Sequence, residues 1–401
     1  MNKILNIWEQ EYKFILCIAV LLCAVIMYHG SYEAVAEEEV MPSIDMQPLI
    51  RIEGDDIDWV EGGLATDNGE ILLYGWTNST SWAELPSAQT FASGSNALAV
   101  MLSPEGKVRW LVTDGSTDID FMHSFEGAAI IDDRIVLCHQ KMMVDTWEDA
   151  YGITVLDNSG IILRRFHFED SLIVQNTFAA DDALLLCGYY IEGEYRVPFI
   201  YAIASSGDLL WEYTDEPVSW VDGKNQTCSF ERVAANNQGI VVGVLEHGKR
   251  EVQLVTLDST GKKIDCRTEQ GFTYNTVRVF EEYYSLSGSH MSSFITYYTN
   301  FATHSTVKTV DSLPLEGRIT LPLVSDKGIY YLVEMDMGPT GVYYADKKRR
   351  IEINNPFDHI VYTGGIVTGD DDTLILYGYT YDESHPEKTP IIVTEGHLPI
   401  E

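Results

Sequence analysis

Aromatic side chains set among small polar residues mark the stretches of this chain with the most potential for binding chemistry. They lie in four segments, at residues 76–96, 139–149, 212–228 and 379–389. Aromatic faces stack on sugars or peptides, while nearby amides and carboxylates orient the ligand. The pattern predicts a binding surface with the candidate residues Trp76, Trp82, Trp147, Trp220, Tyr379 and His385. The alternative is that each ring only anchors its own loop.

A second set of polar residues falls near the predicted starts of strands that would line a central channel. It comprises His123, Arg232, Arg318 and His359. Residues at such a channel mouth either contact a ligand or hold water and close the ring. We treat these four as channel-mouth candidates.

Motifs of known catalytic sites do not occur in the sequence. It contains no Gly-x-Ser-x-Gly elbow, no His-Glu-x-x-His pair and no P-loop. Because 61 acidic residues allow many carboxylate pairs, an extracellular carbohydrate-active enzyme, a glycosidase or lyase, stays open as the alternative function. Asp114, Asp118 and Asp120 offer oxygen ligands to calcium, but they lack the spacing of an EF-hand loop. We therefore predict no cofactor and no metal site, with calcium as the weak alternative.

A recurring hairpin organises the chain around these residues. Its clearest copy is Phe199–Tyr213, an apolar alternating strand, a Ser-Ser-Gly-Asp turn and a second strand containing Trp211. Further copies turn at Ser103–Gly106, Asp157–Gly160 and Asp258–Gly261. Between the hairpins lies a second strand pair, with anchors at positions 75, 139, 188, 243, 288, 333 and 378. The last three spacings are 45 residues each, the length of a four-stranded propeller blade.

This repeat predicts an all-β, seven-bladed β-propeller of four-stranded blades; six or eight blades are the alternatives. The spare strand at residues 48–53 is expected to pair with the last blade, which would remove two exposed sheet edges. Turns after the first and third strands of each unit are short. Loops after the second and fourth strands are long and carry the aromatic residues. We call their side of the molecule the long-loop face and expect ligands there.

The acidic composition of the chain limits the classes of molecule that it could bind. The formal net charge is −35, with 26 basic and 61 acidic residues. Such a surface disfavours both nucleic-acid phosphates and anionic lipid headgroups. We expect an envelope protein or a glycan as partner, no nucleic acid, membrane contact only through the amino-terminal segment, and a monomer.

The amino terminus predicts export. Residues 14–27 form an uninterrupted apolar run, which is short for a membrane-spanning helix and fits a signal-peptide core. Residues 34–36 (Ala-Val-Ala) offer a cleavage site, so a cleaved signal peptide and an uncleaved anchor both remain open. The predicted organisation is a signal peptide or helical anchor at 1–36, a flexible acidic spacer at 37–47 and the propeller at 48–401.

The six cysteines do not define a disulfide framework for the fold. Cys138 and Cys187 end equivalent strands of adjacent units and are expected to be small buried apolar residues. A disulfide between Cys228 and Cys266 is an open alternative in an exported protein.

The hairpins resemble those of quinoprotein-type propellers, also called PQQ-like repeats and related to WD40-like propellers. Ala202–Trp211 comes closest to their Ala-hydrophobic-Asp-x-x-Gly-x-x-x-Trp pattern, and Met101–Trp110 nearly matches it. The resemblance implies a propeller. The vicinal-cysteine motif of the quinone-dependent dehydrogenases has no counterpart here, so the chain is more similar to the scaffold members. We therefore predict an exported bacterial cell-surface binding module; a purely structural spacer is a third possibility.

Overall fold

A computed structural model gives the fold. It describes residues 43–398 apart from positions 67, 83–94, 116–119, 147, 169–170, 220–227, 248–250, 271–272, 291–292, 302, 304–305, 313–317, 326–327, 336–337, 345–348, 357–359, 369–372 and 381–387. Residues 43–401 belong to one compact unit. The described residues form strands and no helix, and so contain no helix long and apolar enough to cross a membrane.

Strand pairing divides the described residues into seven sheets, which we number in chain order by their first strands. The amino-terminal strands are β1 (Ser43–Asp45) and β2 (Gln47–Ile52). Sheet one consists of β3 (Asp58–Ala65), β4 (Ile71–Thr77), β5 (Asn96–Leu102) and β6 (Val108–Asp114). Sheet two consists of β7 (Phe121–Ile131), β8 (Arg134–Met143), β9 (Asp149–Asp157) and β10 (Ile162–His167). Sheet three consists of β11 (Leu172–Ala179), β12 (Leu184–Glu192), β13 (Tyr195–Ile203), β14 (Leu209–Thr214) and the short β15 (Val218–Ser219).

The remaining sheets repeat this order. Sheet four consists of β16 (Cys228–Ala235), β17 (Val241–His247), β18 (Glu251–Leu257) and β19 (Lys263–Gln270). Sheet five consists of β20 (Thr273–Val279), β21 (Tyr283–His290), β22 (Ser293–Asn300) and β23 (Thr306–Ser312). Sheet six consists of β24 (Arg318–Ser325), β25 (Gly328–Met335), β26 (Gly338–Tyr344) and β27 (Arg349–Asn354), with β1 at its edge. Sheet seven consists of β28 (Ile360–Thr368), β29 (Thr373–Thr380), β30 (Ile391–His397) and β2.

The amino-terminal strands connect two sheets. Strand β2 pairs antiparallel with β30, so the predicted pairing of residues 48–53 with the last sheet is confirmed. Strand β1 pairs in parallel with the outer strand β27 of sheet six, a contact that the sequence did not predict. One short stretch of chain therefore covers parts of two neighbouring sheet edges, where exposed backbone groups invite aggregation.

The recurring hairpins owe their turns to glycine. Gly106, Gly160, Gly207 and Gly261 have φ between +76° and +82°, a backbone conformation that costs other residues energy. In each turn the glycine N–H donates to the carbonyl three residues earlier, as Gly207 does to Ala204 at 2.9 Å. The sequence prediction of these turns is confirmed, because their determinants are local.

The first strand of every sheet carries a β-bulge at the same place. Each bulge leaves one residue out of the pairing register: Glu61, Glu126, Gln175, Glu231, Asn275, Thr320 and Thr363. All seven are polar. First strands of successive sheets also touch: the Thr363 hydroxyl donates to the Val60 carbonyl at 2.7 Å, joining sheet seven to sheet one.

Apolar cores lie between neighbouring sheets. Phe125 of sheet two packs with Leu72 and Ala99 of sheet one, and Phe230 of sheet four packs with Ile200 of sheet three. Cys138 and Cys187 are buried in these layers as expected. Cys228 and Cys266 form no disulfide, and the former is buried while the latter is exposed.

Candidate functional site on the long-loop face

Three aromatic rings meet where sheet seven adjoins sheet one. Trp59 on β3 pairs in register with Trp76 on β4, and their rings stack with centroids 6.3 Å apart and an interplanar angle of 12°. Tyr379, near the end of β29, brings its ring to 4.8 Å from that of Trp59. All three side chains are half-buried. They form one continuous aromatic surface, which we call the aromatic platform.

Glu61, the bulge residue of β3, lies beside this platform. Burial of its carboxyl raises the pKa of Glu61 to about 7, and repulsion from Glu126 raises it as well. Hydrogen bonds from the Trp76 and Trp59 indoles lower the pKa and offset part of this rise. The residue as a whole is exposed. A carboxyl that is accessible to water and has a raised pKa is a candidate ligand contact.

Sheet two extends the polar surface. Glu126, the next bulge residue, has a raised pKa because of burial; the Ser124 hydroxyl donates to it and lowers the pKa, while Asp149 raises it. The Gln140 amide donates to Asp149 at 3.0 Å and to the Tyr151 hydroxyl at 3.1 Å. These groups hold one another in place, because each fixes the orientation of its neighbour.

An ionic network lies between sheets one and two, with a buried carboxylate and two buried histidines but an exposed arginine. The Arg165 guanidinium on β10 donates to both oxygens of Asp114, the last residue of β6, at 2.8–3.0 Å. The Thr154 hydroxyl donates to the same carboxylate at 3.1 Å. His139 Nδ1 lies 3.8 Å from Asp114 Oδ2, and His139 Nε2 lies 3.0 Å from His123 Nδ1. The network connects the outer strands of two sheets to the first strand of sheet two.

The environment sets the charges in this network. Burial lowers the pKa of His139 to about 4, although Asp114 favours its protonated form. Burial also lowers the pKa of His123, as does the nearby Lys141. Burial alone would raise the pKa of Asp114, but the hydrogen bonds from Arg165 outweigh it and the pKa falls. At neutral pH the pair Asp114–Arg165 is therefore ionised while both histidines are neutral.

Of the six predicted binding residues, the structure places two on the aromatic platform and one in the core, and three lie outside the described residues. Trp76 and Tyr379 belong to the aromatic platform. Trp82 is 3% exposed and packs in the core with Leu98 and Leu111, so its ring anchors its own segment instead of facing solvent. The predictions for Trp147, Trp220 and His385 lie outside the described residues.

The channel-mouth candidates are also dispersed. His123 is on the first strand of sheet two as expected, but it is buried and its ring meets His139 between the sheets. Arg232 follows the bulge residue Glu231 and donates to its carbonyl at 2.6 Å. Arg318 begins β24, where its backbone pairs with Glu334. His359 lies outside the described residues.

Several residues of the site were not singled out from the sequence. Trp59 and Glu61 could have been found by pairing β3 with β4 around the Asn68–Gly69 turn, because that register brings Trp59 opposite Trp76. Asp114 was singled out only as a calcium candidate, and no sequence signal groups it with His139 and Arg165, since the three come from different strands.

The surface has the chemistry of recognition. An aromatic platform stacks on an apolar ring face, and a neighbouring carboxyl orients polar groups of the ligand. Within the described part of the chain, no three His, Cys, Asp or Glu side chains are grouped so as to hold a metal ion. Both Asp114 oxygens accept bonds from Arg165; the rest of the proposed calcium segment is only partly described.

Comparison with known proteins supplies a fold. No protein-family model and no curated protein sequence matches the chain. Among solved structures, an acylaminoacyl peptidase in complex with Z-Gly-Gly-Phe-chloromethyl ketone is similar with a TM-score of 0.51 and 9% identity, over 85% of this chain and 52% of the peptidase. Uncomplexed acylaminoacyl peptidase from Pyrococcus horikoshii is similar with a TM-score of 0.51 and 10% identity, again over 85% of this chain and 52% of the peptidase. This chain thus spans about half the length of those peptidases.

A third structure is matched along nearly its whole length. It is the β-propeller domain of the Trilobed protease from Pyrococcus furiosus, with a TM-score of 0.50 and 10% identity, over 85% of this chain and 98% of that domain. That domain is described as having an open velcro topology, whereas here β2 pairs with β30. At such low identity the likeness concerns architecture alone. The chain has an all-β fold similar to that of peptidase β-propellers.

Proposed function

We propose that this protein is a non-catalytic binding module that recognises a protein or a glycan through its long-loop face. The observation that carries the proposal is the aromatic platform of Trp59, Trp76 and Tyr379 with the Glu61 carboxyl beside it. Aromatic residues are over-represented among the side chains that dominate binding energy. The net charge of −35 supports a partner other than nucleic acid.

The finer architecture is part of the same proposal. We infer that the seven sheets are the blades of a ring closed by β2, with hairpins of the PQQ-like type. The contact between Thr363 of sheet seven and Val60 of sheet one supports closure. The proposed location is the bacterial cell surface, supported by the apolar run at residues 14–27 and the acidic spacer that follows.

A binding screen tests this function. The purified full-length chain is tested against glycan arrays and envelope-protein arrays, with hydrolysis products followed in the same wells. Trp76→Ala and Tyr379→Ala are expected to weaken binding to the ligand found by about tenfold or more, because each removes stacking area. Phe166→Ala serves as the control, because Phe166 is an exposed aromatic residue on the outer strand of sheet two, away from the platform.

Unchanged affinity in both platform variants would contradict the assignment of the binding face. Trp147→Ala and Trp220→Ala extend the same test to the two loop tryptophans that only the sequence suggests.

A carbohydrate-active enzyme is the second candidate, and one observation favours it. Glu61, with a pKa of about 7, is partly protonated at neutral pH, as a general acid must be, and Glu126 is close enough to affect it. Turnover of a glycan in the screen, abolished in Glu61→Gln, would establish this alternative. Binding without products supports the recognition module.

A further inference from the structure

A cavity lies at the opposite end of the molecule from the long-loop face, where the short turns of sheets three and four adjoin. Its volume is about 560 Å³, within the range of small-molecule sites. Its apolar lining includes Ala183 and Leu185 of sheet three and Val241 of sheet four, all buried. Leu210 and Trp211, from the outer strand β14, also line it.

At the matching place between sheets one and two, the tryptophan is buried. There the Trp110 ring lies against Gly160 of the next hairpin, its indole donates to the Asn158 carbonyl at 2.9 Å, and the side chain is 8% exposed. An ion pair between Arg109 and Glu70 adds a further contact beside it.

Sheet three keeps the tryptophan but loses that ion pair. Trp211 likewise lies against Gly261 of the next hairpin. Leu210 lies three residues after the hairpin glycine Gly207, the position that Arg109 has after Gly106. Ala183 directly precedes β12, as Glu70 directly precedes β4, so Leu210 and Ala183 replace the two ion-pair residues. Trp211 is half-buried, and Leu210 is 52% exposed. The substitutions leave an aromatic wall open to the cavity.

The rim of the cavity is polar and carries no positive charge. Asp181 and Asp182 border it on sheet three, and Asn237, Gln238 and Ser259 border it on sheet four. All five are exposed. The described lining residues include no lysine or arginine, so a phosphate or carboxylate ligand would meet two aspartates without a counter-charge. Neutral hydroxyl groups can bond to amides, carboxylates and a serine hydroxyl alike.

We propose that this cavity binds a neutral sugar of one or two rings, with the ring face on Trp211 and the hydroxyls on the polar rim. The site is separate from the long-loop face and independent of the function proposed for that face. Its chemistry is an apolar floor, one aromatic wall and a border of acceptors and donors, which suits a ligand with an apolar ring face and hydroxyls at its edge.

The test is saturation-transfer NMR on the full-length chain with glucose, N-acetylglucosamine, maltose and lactose at millimolar concentration. Inorganic phosphate, which has no carbon-bound proton to observe, is added as an anionic competitor. At least one sugar is expected to show saturable transfer, and phosphate is expected not to reduce it. Trp211→Ala should weaken sugar binding by about tenfold or more. Leu210→Arg should do the same, since it restores the long basic side chain found in sheet one.

Two controls separate binding from stability. Leu210 is half-exposed, so Leu210→Arg should leave the thermal unfolding midpoint unchanged while blocking the cavity. Arg109→Leu makes the reverse exchange in sheet one and should leave sugar binding unchanged. The proposal is overturned if no sugar binds, if phosphate displaces the bound sugar, or if Leu210→Arg keeps wild-type affinity, even where Trp211→Ala loses it.

Discussion

For single residues, the protein shifts the ionisation of an exposed carboxyl beside the aromatic platform and of a buried imidazole between sheets one and two. The pKa of Glu61 is raised to about 7 and that of His139 is lowered to about 4. Burial is the main cause of both shifts. Burial disfavours the charged form, which for a carboxyl is the deprotonated state and for an imidazole the protonated state. Both groups are therefore neutral over much of the range between pH 4.5 and 6.5.

These shifts predict how stability depends on pH. The folded pKa of Glu61 lies above its ordinary value of 4.5, so the folded state holds more protons between pH 4.5 and 7, and its contribution to stability is lost as pH rises through that window. His139 acts oppositely: its folded pKa lies below 6.5, and its contribution is lost as pH falls from 6.5 towards 4. Glu61→Gln is expected to raise the free energy of unfolding at pH 8 but not at pH 4.

The gain from Glu61→Gln should stay below about 1 kcal/mol, because an exposed carboxyl is screened by water. Urea unfolding curves at the two pH values measure it. Glu194→Gln is the control, since Glu194 is an exposed acid in the turn between β12 and β13. An equal effect of Glu61→Gln at both pH values would show that the pKa of Glu61 is not raised.

At the scale of elements, the bulge in each first strand explains the glycines that end many second strands. Gly75, Gly188 and Gly378 each pair with the residue directly before the bulge. A Cβ added to them would come within 1.9–2.1 Å of a carbonyl oxygen of the first strand. The anchor predicted at Gly243 is displaced by two residues, because Leu245 is the residue paired before the bulge in sheet four.

Gly188→Ala tests this close approach. The added methyl would meet the Ile173 carbonyl oxygen at 2.0 Å, so the first two strands of sheet three must separate. We expect a loss of about 1–3 kcal/mol in the free energy of unfolding, measured by chemical denaturation. Gly193→Ala is the matched control: it lies in the next turn, and its methyl would meet nothing within 4 Å. Its positive φ alone should cost roughly 1 kcal/mol. A smaller loss at Gly188 than at Gly193 would refute the explanation.

At the scale of the whole molecule, the two ends of the described chain depend on each other. Strand β2 supplies the outer strand of sheet seven, and its Ile52 is fully buried in the core shared by sheets seven and one. That core contains Ile391 and Val393 of β30 and Leu98 of β5. Residues more than 300 positions apart thus stabilise the same layer.

Ile52→Ala should therefore destabilise the whole fold by about 2–5 kcal/mol, because the lost methyl groups leave a cavity in that layer. The thermal unfolding midpoint and urea denaturation measure the loss. Arg51→Ala is the control in the same strand: its side chain is exposed and pairs with the exposed Glu53, a contact worth at most about 1 kcal/mol. Equal effects of the two substitutions would mean that β2 contributes little to the core.

Features that depend on residues close together in the chain could be predicted from the sequence. Strand alternation, the glycine turns such as Gly207 and the repeat of about 45 residues follow from local backbone preferences and hydrophobic pattern. The pairing of residues 48–53 with β30 was also predicted, because unpaired sheet edges are unfavourable.

Which of the candidate side chains share a surface could not be predicted, because it depends on the tertiary fold. Trp76 and Trp82 look alike in the sequence, yet one stacks on Trp59 at the surface and the other is buried beside Leu98. His123 meets His139 across two paired strands of sheet two, and Asp114 of sheet one lies beyond them because the two sheets pack there. The physical reason is that a side chain's burial and partners depend on strand register and sheet packing, which bring together residues distant in the chain, as Trp59 and Tyr379 are.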